Sequence, residues 1–363
     1  MPKTYIFTII MDTYNRPALL KEAVNALFRQ TYGNLEIILV NNGATPETIE
    51  YLNEVSLIDK RVKLVHFKEN QYSPDDPLKM LDTCLNAALK MAIGDYVWYQ
   101  ADDDLIADDY AEKMVTLFKG NPECITTAGI PVSIDIQGNI IEAGPRTFNY
   151  RPCYMPGHML ALDHLRGGKM FSAPGSIFTI KRDVLVEAGG FHRAIENSQL
   201  YGIVPFGVTG FDETAVFYWR RHEGQLNKQM SASGWIGIDE DFALLEDWGI
   251  ERRWKVFGVN VAREVVSTIE NQICETATHW FAKNLLSLRI KASLNIVRKM
   301  YRRSRFWSEI PGAFSSDLWR RMRQLLQHLR PSIKYLIKSL FKFLPGLSNV
   351  SPWFAHLRER VNR

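Results

Sequence analysis

The stretch "YIFTIIMDTYNRPALLKEAVNALFRQTYGNLEIILV", residues 5–40, decides the fold. Its β-branched and apolar opening predicts a strand over 5–11, and "DTYNRP" predicts a turn with Pro17 at the start of a helix. Apolar residues then recur at helical spacing over 18–30, and the run over 35–40 is typical of a second buried strand. The stretch therefore predicts a strand, a helix and another strand.

The same alternation continues to residue 100. A third strand is predicted over 61–67, a helix over 76–93 and a fourth strand over 95–100. This order predicts an α/β fold with a mostly parallel, doubly wound, Rossmann-like sheet whose crossovers are right-handed. Because ligands of such sheets bind beyond the carboxyl ends of the strands, the turns that follow the strands are the candidate site.

Length and composition exclude several classes of protein. The chain has 363 residues, of which 46% are hydrophobic and 23% charged, as in a globular protein large enough for two domains. The four cysteines lack CxxC spacing, which argues against a zinc site or a disulfide framework and favours reduced thiols in the cytosol. No apolar run approaches the roughly 18 residues of a spanning helix. We therefore predict a cytoplasmic protein.

A second stretch, "GDYVWYQADDDLIADDY" at 94–110, places three aspartates directly after the fourth predicted strand. Carboxylates this close disfavour ionisation unless a positive charge compensates. A solvated acidic turn and a supply of helix N-cap residues are the structural alternatives, and a bound divalent cation is the functional one. The polar runs "TYNR" and "NNGAT" follow the first and second strands, so all three clusters are expected at one edge of the sheet. This convergence favours a binding site.

Four motifs resemble the family 2 glycosyltransferases of GT-A fold. They are "TYNRPALLKEAVNALFRQTYGNLEIILVNNGATPET" (13–48), the aspartate stretch at 94–110, "SIFTIKRDVLVEAGGF" (176–191) and "FDETAVFYWRRHEGQ" (211–225), and they occur in the family's order. The resemblance implies transfer of a sugar from a nucleotide diphosphate donor with inversion at the anomeric carbon. It also implies a divalent cation, and Mn²⁺ or Mg²⁺ suits an oxygen-rich site better than zinc does.

The resemblance assigns roles to single residues. Asp104 matches the main metal-ligand position, and His222 matches a histidine that in many relatives approaches the metal or the diphosphate. Asp102 and Asp103 are then expected to contact the ribose, the donor sugar or metal-bound water. Asn42 stands where the family commonly has an acidic residue, and its amide could recognise a uracil or thymine edge, which favours a UDP-sugar. The remaining donor-binding residues implied are Thr13, Tyr14, Arg16 and Arg221.

The general base is the least well marked part of the site. An inverting transfer needs a carboxylate to accept the proton of the acceptor hydroxyl. The family supplies it from a Glu-Asp pair soon after the "GGF" turn, where this chain has Glu196 and Asn197. Because an amide is not a base, Glu196 is the predicted catalytic residue. Asn197 also leaves open a catalytically weak protein that binds nucleotide sugar or glycan as a scaffold in an assembly complex.

The C-terminal part has a different character. Loss of the strand–helix alternation predicts a catalytic domain over 1–254 and a basic, α-helical region over 255–363. In 330–346 basic residues recur every four positions among Leu, Ile and Phe, a pattern typical of a helix on an anionic membrane surface, although a helix packed on its own domain is the alternative. Attachment to the inner face of the plasma membrane suits a lipid-linked saccharide acceptor. Nucleic acid is a poor fit, because the aromatic residues are not interleaved as stacking platforms.

Overall fold

The structure, a computed structural model, divides the chain into two compact units: Met1–Gln229 with Ala243–Val265, and Met230–Phe242 with Val266–Arg363. The residues described are 4–73, 78–142, 154–165, 178–192, 199–200 and 202–226 in the first unit, and 267, 270–271, 273–275, 277–284, 290–300 and 305–308 in the second. The predicted base Glu196, the segment 330–346 and the predicted boundary after residue 254 lie outside the described residues, so these three stay predictions.

The first half of the sheet is parallel, as the sequence predicts. Its strands are β1 (Phe7–Thr13), β2 (Leu35–Asn42), β3 (Val62–Phe67) and β4 (Tyr96–Tyr99), in the spatial order β3-β2-β1-β4. The crossovers are α1 (Pro17–Phe28), α2 (Pro46–Ile58) and α3 (Lys79–Met91). Proline opens α1 and α2, where its fixed φ suits the first helical position and its missing N–H costs nothing. Every predicted strand and helix here is confirmed, with ends shifted by a few residues.

The second half of the sheet is mixed. Its elements are β5 (Leu105–Ile106), α4 (Tyr110–Gly120), β6 (Cys124–Ile134), β7 (Ile140–Glu142), β8 (Tyr154–Pro156), α5 (Gly157–Leu165), β9 (Phe178–Lys181), α6 (Arg182–Glu187) and β10 (Val208–Arg220). Within the described residues the order continues from β4 as β9-β6-β10-β5, with β7 on β6 and β8 on β10. β9 runs antiparallel to both β4 and β6, whereas β10 is parallel to β6. The carboxyl end of β10 therefore lies at the same edge as those of β1 and β4.

Aromatic packing fixes the segment that carries the three aspartates. Trp98 of β4 is buried against Tyr110, the first residue of α4, with ring centroids 4.8 Å apart. Tyr110 in turn meets Phe217 of β10 edge-on, with centroids 6.5 Å apart. Such aromatic pairs contribute on the order of 1 kcal/mol each beyond the area they bury. The triplet is thus held between two anchored residues, Trp98 before it and Tyr110 after it.

The second unit is helical in its described residues. It contains α7 (Ile290–Met300) and further helical residues between 267 and 308, where the rings of Phe281 and Phe306 pack 6.0 Å apart. In the ranges that the structure describes, every helix falls short of the length and apolar character needed to cross a bilayer.

Candidate active site

Three turns meet at the carboxyl edge of the sheet: those after β1, β4 and β10. The Thr13 hydroxyl donates to Asp102 Oδ2 at 2.7 Å. Arg16 Nη1 donates both to Asp102 Oδ1 at 2.9 Å and to Asp103 Oδ2 at 2.5 Å. His222 Nε2 lies 3.0 Å from Asp103 Oδ2. Five residues singled out from the sequence, on three separate segments, therefore share one hydrogen-bonded cluster.

The carboxylates of the triplet are buried and short of positive charge. Asp102, Asp103 and Asp104 are between 4% and 7% exposed. Burial raises the pKa of Asp102 to about 7, against the lowering effect of the Arg16 guanidinium. Burial, with the neighbouring Asp103 carboxylate, raises the pKa of Asp104 well above its usual range. A site with more buried carboxylates than cations favours the binding of a further cation or a proton.

Asp103 and Asp104 face different partners. Asp103 faces Arg16 and His222, as described above. Asp104 Oδ1 accepts the backbone N–H of Arg220 at 2.9 Å, which ties this carboxylate to the end of β10. Asp103 is therefore the member of the triplet that contacts His222, the histidine predicted to bind the metal ion.

The protonation of His222 follows from its two neighbours. The backbone N–H of Gly224 donates to Nδ1 at 3.1 Å, so the ring proton sits on Nε2 and is donated to Asp103. Arg16 Nη2 donates to the Gly224 carbonyl at 3.1 Å, which links the turn after β10 to the start of α1. To bind a cation through Nε2, His222 would have to release that proton.

Arg221, which the sequence predicts as a donor-binding residue, and its neighbour Arg220 have opposite environments. Arg220 is fully buried, and its side chain donates to the carbonyls of Asp103 (2.9 Å) and Ile136 (2.6 Å) and to Glu22 Oε2 (2.6 Å). Arg221 is exposed, with its guanidinium 3.5 Å from the centre of the Trp219 ring. Of these two arginines, Arg221 is therefore the one accessible to a ligand.

Asp12 is a fourth buried carboxyl of the site that the sequence did not single out. Burial raises its pKa to about 6, against a hydrogen bond from Tyr99 and the charge of Arg16. It comes directly before the "TYNR" motif, at the end of β1. Its place near the end of an apolar strand was the only sequence signal that it belongs to the site. The sequence does not indicate which side chains surround it.

The turn after β2 holds the next loop in place. Asn42 is fully buried; its Oδ1 accepts the Gln71 N–H at 2.8 Å and its Nδ2 donates to Asn70 Oδ1 at 3.2 Å. Tyr14, in contrast, is 40% exposed at the end of β1. Recognition of the base by Asn42 stays a prediction, and the structure shows that its amide already braces residues 70 and 71.

The carboxylate oxygens and the imidazole nitrogen at this edge suit a hard divalent cation. Carboxylate oxygens with one imidazole nitrogen are ligands that Mn²⁺ accepts, and Mg²⁺ prefers the oxygens. Among the described residues no group of three or more His, Cys, Asp and Glu side chains is already arranged as a metal site. Arg16 Nη1 bridges Asp102 and Asp103, so a cation that joined these two carboxylates would displace the guanidinium.

Comparison with known proteins identifies the family. The model of glycosyl transferase family 2 matches residues 8–189, half of the chain. The chain belongs to glycosyltransferase family 2. The chain is 33% identical over 137 residues to an uncharacterized glycosyltransferase of Haemophilus influenzae, a match covering 38% of this chain and 51% of the relative. It is 33% identical over 112 residues to the glycosyltransferase GlyA of Streptococcus pneumoniae, covering 31% and 14%. The match spans about half of the first relative and less of the second.

Solved structures with similar folds include two glycosyltransferases with bound donors. The mannosyltransferase PcManGT of Pyrobaculum calidifontis, in complex with GDP-Man and Mn²⁺, is 15% identical with a TM-score of 0.48 over 85% of this chain and 83% of that one. TarS 1–349 of S. aureus, in complex with UDP-GlcNAc, is 13% identical with a TM-score of 0.48 over 82% and 91%. At this level of similarity neither structure identifies a ligand for this chain.

Proposed function

We propose that the protein is an inverting, metal-dependent glycosyltransferase that uses a nucleotide diphosphate sugar, with a UDP-sugar favoured. One observation carries this proposal: Asp102, Asp103, Arg16 and His222 form a cluster at the carboxyl edge of a family 2 sheet, and its buried carboxylates outnumber its positive charges. Such a cluster suits a ligand that brings both a cation and a diphosphate. Family membership alone supports glycosyl transfer but neither the donor nor the acceptor.

Residues of the cluster and the adjacent Asp104 have separate roles in this proposal. Asp103, Asp104 and His222 would hold Mn²⁺ or Mg²⁺, and the geometry favours Asp103 because it faces His222. The bound cation would neutralise the charge that develops on the departing diphosphate. Arg16 is half-buried beside Asp102 and Asp103, and its guanidinium would bind the diphosphate of the donor.

The other donor contacts stay as the sequence predicts them. Thr13 orients Asp102 by donating to its carboxylate, and the exposed Tyr14 and Arg221 are available to the nucleotide or the diphosphate. Glu196 is proposed to accept the proton of the acceptor hydroxyl during attack. The acceptor is proposed to be a saccharide, lipid-linked and used in surface polysaccharide or lipopolysaccharide synthesis, because the basic pattern of 330–346 suits an anionic membrane surface at the cytoplasmic face.

The test is release of nucleoside diphosphate from UDP-, dTDP- and GDP-sugars, measured with Mn²⁺ and with chelator. We expect one donor to be hydrolysed, with the rate abolished by chelator and lowered about 100-fold or more in Asp103→Asn, which removes a charge but little volume. Asp108→Asn is the matched control, because Asp108 is half exposed and pairs only with Arg29 in the described contacts. Full activity of Asp103→Asn would contradict the proposed site.

Asn197 supports a second candidate, a scaffold that binds the donor without efficient transfer. The two candidates separate once an acceptor is known. Glu196→Gln should then abolish transfer while the Kd of UDP is unchanged, because the base does not contact the nucleotide. Tight UDP binding without transfer to any acceptor, in the parent protein, would favour the scaffold.

A further inference from the structure

A row of polar side chains crosses the parallel half of the sheet. Thr13 of β1 is the register partner of Asn41 in β2, and Asn41 is the register partner of His66 in β3. Register partners in a parallel pair point to the same face of the sheet. Thr13 donates to Asp102 at one end of the row, and the amide of Asn41 bonds to His66 at the other. The row thus runs from the carboxylate cluster to the outer strand of the parallel half.

The hydrogen bonds of Asn41 fix the proton on His66. Asn41 Oδ1 accepts the backbone N–H of Ala44 at 2.7 Å, so this atom must be the oxygen. The other amide atom is therefore Nδ2, which donates to His66 Nδ1 at 3.2 Å. Since Nδ1 accepts, the neutral imidazole carries its proton on Nε2. His66 is exposed, so this N–H is available to a ligand.

The length of the row matches a nucleoside diphosphate. Strands lie about 4.8 Å apart, so the three steps from β4 to β3 span about 14 Å. This distance is comparable with that between the diphosphate and the base of an extended nucleotide. The charged cluster beside β4 would meet the diphosphate and its cation, and the hydrogen-bond donor at β3 would meet the base, in the order in which these groups occur along the nucleotide.

We propose that His66 recognises the base of the donor nucleotide, by donating its Nε2–H to the O4 carbonyl oxygen of uracil or thymine. The inference rests on the proposed function, because it requires the diphosphate at the aspartate cluster. Asn41 is the positioning residue that selects the His66 tautomer. Asn42 is less suited to contact the base, since it is fully buried and its amide braces the following loop.

The test compares UDP with CDP, because their bases have nearly the same shape and differ only at positions 3 and 4. Uracil has an N3–H donor and an O4 acceptor, whereas cytosine has an N3 acceptor and an N4 amino donor, which cannot accept the His66 N–H. Binding of each to the full chain is measured by calorimetry with Mn²⁺ present. We expect the parent protein to bind UDP about tenfold more tightly than CDP, the value of one hydrogen bond made or left unpaired. His66→Phe keeps a ring without an N–H and should bring the ratio close to one. His66→Gln keeps a hydrogen-bond donor and should retain most of the preference for UDP over CDP.

Each outcome decides the proposal. A parent ratio close to one, or a ratio unchanged in His66→Phe, overturns recognition by His66 and leaves the proposed glycosyl transfer standing. Failure of both nucleotides to bind with Mn²⁺ overturns the donor site itself, and the recognition of its base with it. A long-range ¹H–¹⁵N spectrum gives a readout that does not depend on any nucleotide: we expect an Nε2–H tautomer for His66, and an Nδ1–H tautomer would overturn the proposal.

Discussion

Replacement of Arg220 by Met tests how the aspartate triplet is held. The guanidinium is fully buried, and two of its three side-chain bonds go to main-chain carbonyls, those of Asp103 and Ile136. Met fills similar volume but leaves both carbonyls without that donor, at about 1–3 kcal/mol for each unpaired buried group. Part of this cost is recovered because a charge no longer has to be buried. We therefore expect Arg220→Met to lower the free energy of unfolding by about 2–4 kcal/mol.

The matched control is Glu22→Gln. The Glu22 side chain is 53% exposed, so its ion pair with Arg220 is largely screened by water and should contribute less than about 1 kcal/mol. Both variants are compared by urea unfolding, followed in parallel by tryptophan fluorescence and circular dichroism. The reasoning is refuted if Glu22→Gln costs as much as Arg220→Met, because the ion pair would then hold the arginine and not the two carbonyls. A loss of UDP affinity in Arg220→Met, measured at urea concentrations at which the variant is still folded, would further show that Arg220 holds Asp103 in the position needed for binding.

Two buried carboxyls should respond to pH in opposite directions. The folded-state pKa of Asp12, about 6, lies above its ordinary value of 3.8, so the free energy of unfolding falls as the pH rises between these values. Without divalent cation, Asp12→Asn should therefore be more stable than the parent by up to about 3 kcal/mol near pH 7. This gain should vanish near pH 4. A less stable Asp12→Asn at pH 7 would contradict this. For Glu36, burial is outweighed by hydrogen bonds from Lys63, Thr8 and the Ile93 N–H, which lower its pKa below 4.5. The contribution of Glu36 to stability is therefore present above that pH and lost as the pH falls. Glu36→Gln should lower the free energy of unfolding by about 2–3 kcal/mol near pH 7 and by much less near pH 3. An equal cost at the two pH values would argue against a charged Glu36.

Local patterns were sufficient for the parallel half of the fold. The strands β1 to β4 and their crossover helices are continuous apolar runs and amphipathic runs, and the chain order alone places them in one sheet. The triplet of aspartates was found for the same reason, because it follows a recognisable strand. These features depend on residues that are neighbours in sequence.

Features that depend on pairing between distant segments were not predictable. Phe178–Lys181 is recognisable as a strand, but its direction is set by β4 and β6 on either side, far away in sequence. Arg220, the last residue of β10, is buried, and the next residue, Arg221, is exposed, so an error of one residue at the end of this strand exchanges their environments. The shared environment of Asp103 and His222 likewise follows from the end of β10 reaching the same sheet edge as β4.

The antiparallel strand β9 has a consequence for how the chain folds. It pairs with β4 only after an excursion of about eighty residues, whereas β1, β2, β3 and β4 are joined by short crossovers. During synthesis the first hundred residues or so can therefore assemble their half of the sheet while β4 still has an open edge. That edge is closed when residues 178–181 emerge, and the turn that carries His222 follows β10, the last strand of the sheet in the described chain. The aspartates are therefore made early, together with their partners Thr13 and Arg16, whereas Arg220 and His222 are made more than a hundred residues later.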